Sequence, residues 1–130
     1  MNQTLLQKDK RELTTKEKLL VIAETLRNNQ GVTQIRGCLN NGNPNHFCAM
    51  GLLGFRSGMS YDSLRPDCVK TYDQIAKNYG FSSLIDLTKN LGFLIIEKND
   101  GIPIFESNQR VNTHTFDEIA DLVEEKANSL

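Results

Sequence analysis

The sequence has no tryptophan, only three prolines and only three cysteines in 130 residues. Cys38, Cys48 and Cys68 are an odd set, so they cannot close a disulfide framework, and reduced thiols fit the inside of a cell. A one-sided charge is also missing. Fifteen basic and sixteen acidic residues leave a formal charge of −1, so no net field draws the chain to nucleic acid or to an anionic membrane. No apolar run approaches the roughly 18–20 residues of a membrane span. The N-terminal MNQTLLQKDKRE lacks the apolar core that a signal peptide needs. These absences predict a cytoplasmic protein with no nucleic-acid or membrane partner.

What is present suits a soluble globular chain, with 38% hydrophobic and 24% charged residues. A chain of 130 residues supports one core, burying roughly 65–70% of the surface an unfolded chain exposes. Asparagine is abundant, at thirteen copies, and clusters in turn-like stretches such as NNGNPN.

Residues 1–13 are polar and predict a frayed lead-in, with one globular domain over 14–130. Thr14 and Glu17 form a capping box before Leu19, Ile22, Ala23 and Leu26, a helical stripe that Gly31 should close. VTQIRGCL reads as an extended segment or short strand. In NPNHFCAMGLLGF, Asn43 or Asn45 can cap a helix and Pro44 can stand in its first turn, which predicts a buried helix running to about Gly58. Gly51 and Gly54 would let another element approach it closely.

Two further helices are predicted over 69–78 and 82–90. An apolar run at 93–96 then leads into a turn at Asn99-Asp100-Gly101. Residues 102–113 read as a small hairpin with Pro103 on an edge. A second capping box, Thr115 with Glu118, opens a last helix with Phe116, Ile119, Ala120, Val123 and Ala127 on one face. The expected fold is therefore mainly α, an α-rich α+β domain of about five helices with a short hairpin or minor strands.

The segments Phe47-Cys48-Ala49-Met50-Gly51-Leu52-Leu53, Asn99-Asp100 and Thr115-Phe116-Asp117-Glu118-Ile119-Ala120 occur in that order, behind LLVIAETLRNNQGVTQ. With them the chain resembles a family of small bacteriophage and actinobacterial proteins. That family carries an aromatic-Cys-Ala-Leu-Gly motif, a later Asn-Asp pair and a Thr- or Ser-capped C-terminal helix. Met50 stands where the family has leucine, and residues 101–114 form a longer segment than the family usually has. The resemblance implies an α-rich single domain of phage or bacterial origin and no particular activity.

The sharpest chemical reading makes Cys48 a nucleophile. Amides in the first turn of a helix would lower its pKa and hold an oxyanion. His114 or His46 would be the base, with Asp100 or Asn99 as orienter. Against this, a cysteine between Phe47 and Ala49 suits a core, and His46, two residues away on a helix, would face away from Cys48. Cys38, His46, Cys48 and Cys68 form a weaker zinc set, because the spacing lacks a C-x₂-C pair. Residues 71–93 resemble a helix-turn-helix, but Asp86 and Lys89 take positions that should be apolar. His46, Asn99 and Asp100 are candidate ligand acceptors, while an Asn-Asp pair also commonly builds a turn.

The expected function is that of a small phage-type accessory protein that binds a protein or a small ligand, without a cofactor or metal. The other reading is a cysteine-dependent hydrolase or transferase.

Overall fold

Both capping boxes form. Thr14 Oγ1 accepts from the Glu17 amide, Glu17 Oε1 accepts from the Thr14 amide, and Thr115 with Glu118 repeats the exchange. They open helices α1 (Thr15–Arg27) and α6 (Phe116–Asn128), which pack along each other. Leu19, Ile22 and Leu26 of α1 and Ile119, Ala120 and Val123 of α6 are buried; full burial of one such large aliphatic chain contributes about 1.5–3 kcal/mol. At the open edge of this pair, Arg27 reaches Asp121 at 2.8 Å and Glu124 at 3.3 Å.

The computed structural model describes residues 13–107 and 109–130. The expected lead-in therefore lies outside the described residues, apart from Leu13, which is buried in the core. After α1 come strands β1 (Thr33–Gln34) and β2 (His46–Phe47), then α2 (Ala49–Arg56) and a 3₁₀ turn at Asp62–Leu64. Helices α3 (Val69–Asn78), α4 (Leu84–Leu91) and α5 (Leu94–Asp100) precede the strands β3 (Ile102–Pro103) and β4 (Arg110–Val111). The protein is thus mainly helical, as expected, with six α-helices among the described residues and two small two-stranded sheets. β1 and β2 are parallel, with Thr33 opposite His46; β3 and β4 form the expected antiparallel hairpin, with Ile102 opposite Val111.

α1 is closed by Asn28 and not by Gly31, which lies in the turn beyond, and two larger expectations also require correction. The buried helix does not begin at Asn43 or Asn45 but at Ala49, and residues 43–47 are a turn followed by β2. The asparagines cause this. Asn40 Oδ1 accepts from the Gly42 amide, Asn41 Oδ1 from Asn43 and Asn43 Oδ1 from Asn45, at 2.7–3.1 Å. Each carboxamide completes a local turn and withdraws an amide that a helix would need. His46 consequently lies on a strand, so the helical argument about its direction does not apply.

The second correction concerns the apolar run at 93–96. It is the start of α5, and Asn99-Asp100 form that helix's last turn rather than a free turn. Gly92 ends α4 and Gly101 ends α5, both at positive φ near 60°. Two left-handed glycines nine residues apart leave room for one short helix between them.

α2 occupies the centre, against α1, α3 and α5. Its residues Ala49 to Gly54 are all buried, and Phe47 stacks on Phe55 with ring centroids 4.7 Å apart. Gly51 and Gly54 permit the close approaches that the sequence implied. A Cβ on Gly51 would land on the Leu39 carbonyl oxygen, and one on Gly54 would stand 2.6 Å from Leu64 Cδ2. Because Gly51 meets backbone rather than a flexible side chain, Gly51→Ala should lower stability by about 1–3 kcal/mol. Urea unfolding checks this, and an unchanged midpoint would show that the Leu39 segment can retreat without cost.

Candidate functional site

Of the residues singled out in the sequence, Cys48, Asn99 and Asp100 meet where the N-terminus of α2 faces the C-terminus of α5. Cys48 is the N-cap of α2: its Sγ accepts from the Gly51 amide at 3.3 Å, and it is buried. Burial pushes this thiol up to about 12, with Asp100 and Asp67 adding to the rise and the Gly51 and Met50 amides opposing it. The helix-terminal effect expected to favour a thiolate is therefore present but smaller than desolvation. At neutral pH the group is a thiol that serves as a cap.

Asn99, 1% exposed, is the centre of the arrangement. Its Oδ1 accepts from the Ala49 amide at 2.9 Å and from Gln34 Nε2 at 2.8 Å. Its Nδ2 donates to the Ile35 carbonyl at 3.0 Å and to Asp100 Oδ1 at 2.9 Å. These are the two acceptor and two donor places that a carboxamide has. Asp100 Oδ1 also accepts from the Gly37 amide at 2.9 Å. Asn99 thus ties α5 to β1 and to the first turn of α2, and Asp100 adds the loop that follows β1.

Gln34 extends the network to α6. Its Nε2 also donates to the His114 carbonyl at 2.8 Å, and its Oε1 accepts from the Phe116 amide at 3.1 Å. Two linked carboxamides therefore satisfy the first turns of two helices. In the sequence Gln34 is only one residue of the extended segment VTQIRGCL; a single glutamine carries no periodic signal, and its role depends on partners 65 to 82 positions away.

The other candidates are placed differently. His114 takes part through its backbone, its amide donating to the Lys98 carbonyl at 2.8 Å, while its ring Nδ1 lies 3.1 Å from the Asn112 carbonyl. His46 Nδ1 is paired with Asn41 Nδ2 at 3.2 Å. Among the described residues, no hydrogen bond joins either imidazole to Cys48. The zinc set is not assembled: the described residues contain no group of three or more His, Cys, Asp or Glu side chains that could hold a metal ion.

Cys38 is half-buried, and burial followed by Asp67 and Asp100 raises its pKa. Cys68 is exposed, and the Thr71 hydroxyl, then the Thr71 amide, lower its pKa. Nearby, the Tyr72 hydroxyl donates to Asp67 Oδ1 at 2.8 Å. Burial, then that carboxylate, raise the Tyr72 pKa above the ordinary range. In the helix pair that resembles a DNA-binding motif, Ser83 caps α4 by accepting from the Asp86 amide at 3.2 Å, and Asp86 Oδ2 accepts from the Ser82 amide at 2.9 Å.

Two outcomes follow from this geometry. Asn99→Leu keeps the volume but strands the Ala49 amide, the Gln34 amide and the Ile35 carbonyl, so it should cost about 3 kcal/mol or more in denaturant unfolding. A loss below 1 kcal/mol would contradict the hub. The Cys48 thiol has a folded pKa above its ordinary 9.0, so its contribution to stability is complete below that value and is lost as pH climbs towards about 12. Cys48→Ala should flatten the alkaline fall in stability, and alkylation of the native protein should modify Cys68 first and Cys48 last.

Comparison with protein-family models, with curated proteins and with solved structures gives no match to this chain.

Proposed function

We propose that the chain is a small phage-type accessory protein that binds a folded protein partner, with the β3–β4 hairpin as the contact. The observation that carries this reading is the set of apolar side chains on that arm. Phe105 is 90% exposed, Ile102 57%, Val111 43% and Ile104 38%. Isolated exposed apolar residues are ordinary, but four on one short projection form a patch of the kind that marks interaction sites.

The size of the patch indicates the kind of occupant. One aromatic side chain supplies about 150–250 Å², so the four together offer roughly 400 Å². Two copies joined through this patch alone would bury roughly 800 Å², below the 1,200–2,000 Å² of a standard specific interface. An arm inserted into an apolar groove is covered on both faces and at its tip, with Phe105 as the anchor. A projecting apolar element also suits a protein better than a small ligand or a nucleic acid.

The site around Cys48 supports binding over covalent catalysis, since its thiol is held protonated and its neighbouring carboxamides are occupied. The three unpaired thiols are compatible with a partnership formed in a bacterial host cytoplasm. No helix of the described residues is long and apolar enough to cross a membrane.

Replacing Phe105 by a photo-crosslinking aromatic residue in the host tests the proposal. One discrete adduct of a second protein is expected, lost when Ile102 and Val111 are both changed to serine. Adducts only between copies of the chain, or no adduct at all, would overturn it.

A further inference from the structure

We infer that Arg110 is a latch that fixes the direction of the arm; this rests on the reading of the arm as the binding contact. β3 and β4 share only two residue pairs, and a hairpin that short is not stable alone in water. Its apolar side chains do not anchor it either, since Ile102, Ile104, Phe105 and Val111 all face solvent to a large degree. Some other contact must hold the strands against the body.

That contact is polar and lies at the base of the arm. Arg110 Nη1 donates to the backbone carbonyl of Asp100, the last residue of α5, at 3.1 Å. The same guanidinium lies against Gly37, where a Cβ would come within 3.2 Å of Nη2. Gly37 in turn donates its amide to Asp100 Oδ1. Arg110, Asp100 and Gly37 thus close a triangle joining the arm to the end of α5 and to the loop after β1, and Asp100 passes the connection to Asn99.

Two glycines make room for it. Gly37 has φ +89°, so a side chain there would be strained as well as pressed on the guanidinium. At Gly101, a Cβ would land on the Val111 carbonyl oxygen and 2.8 Å from Thr113 Cγ2, so the returning strand packs directly on α5's end. A planar fork that bonds through Nη1 while Nη2 sits beside Gly37 is a task for arginine, and a lysine ammonium fills it only in part. The consequence for binding is pre-organisation: an arm already held in one direction loses less freedom when it docks.

Amide hydrogen exchange of the free protein tests the latch without any partner. The reporter is the Ile104 amide, bonded across the arm to the Gln109 carbonyl at 3.0 Å. In Arg110→Ala its protection should fall about tenfold or more, while amides in α1 and α6 keep their wild-type rates. Arg110→Lys should lie between the two. Equal protection in Arg110→Ala and wild type would overturn the inference, as would loss of protection throughout α1 and α6, which would make Arg110 a general structural residue. The crosslink from position 105 should weaken in Arg110→Ala in step with the loss of protection; an undiminished adduct from a loosened arm would also overturn it. A wild-type arm that is protected yet yields no adduct would instead sink the binding reading and leave the latch standing.

Discussion

The buried carboxamide of Asn99 is the interaction on which the rest of the structure depends. Two helices, α2 and α6, begin against β1, and the first-turn amides of a helix have no partner within it. Buried without acceptors, each would cost the desolvation of a polar group, about 1–3 kcal/mol. Asn99 Oδ1 answers the Ala49 amide, and Gln34, which bonds to the same oxygen, answers Phe116. Because both carboxamides are oriented by their other hydrogen bonds, they specify the relative placement of α2, α5, α6 and β1 together. A core made only of leucine and isoleucine would fill the same volume with less definition of angle.

Close backbone approach is the companion constraint. The Leu39 carbonyl accepts the Cys48 amide at 3.2 Å and lies where a side chain at Gly51 would have to go. α2 can therefore be capped by a thiol at Cys48, by a side chain from α5 and by the neighbouring loop, all within its first turn. Such crowding excludes water from Sγ and explains why burial outweighs the helix amides in setting the Cys48 pKa. The feature that most resembles an active-site nucleophile is, on this geometry, a consequence of packing.

Much of this was legible in the residues themselves. The capping boxes at Thr14 and Thr115 bracket α1 and α6 because their signal is local: a hydroxyl, a carboxylate three places on and an apolar stripe. The two glycines of α2 announced close approach for the same reason, being small residues in an otherwise bulky helix. The start of α2 was misread because asparagine can cap a helix or build a turn, and Asn40, Asn41 and Asn43 built turns. Helix α5 was missed because a helix of seven residues, set between two glycines, gives too short a period to distinguish it from a buried strand. Gln34 and Arg110 were not legible at all, since each acts through backbone groups brought near only by the completed fold.

The same economy of polar contacts bears on the arm. In α1, α2 and α6 apolar side chains are used for packing, and each helix buries an unbroken face. On β3 and β4 the attachment falls to Arg110 and to backbone packing at Gly101, and the apolar side chains remain outside. Were the hairpin merely a connector between α5 and α6, serines and threonines would serve and would avoid the aggregation hazard of an exposed apolar edge. With Phe105 held in water, the hydrophobic free energy of that side chain is left for the proposed partner to collect.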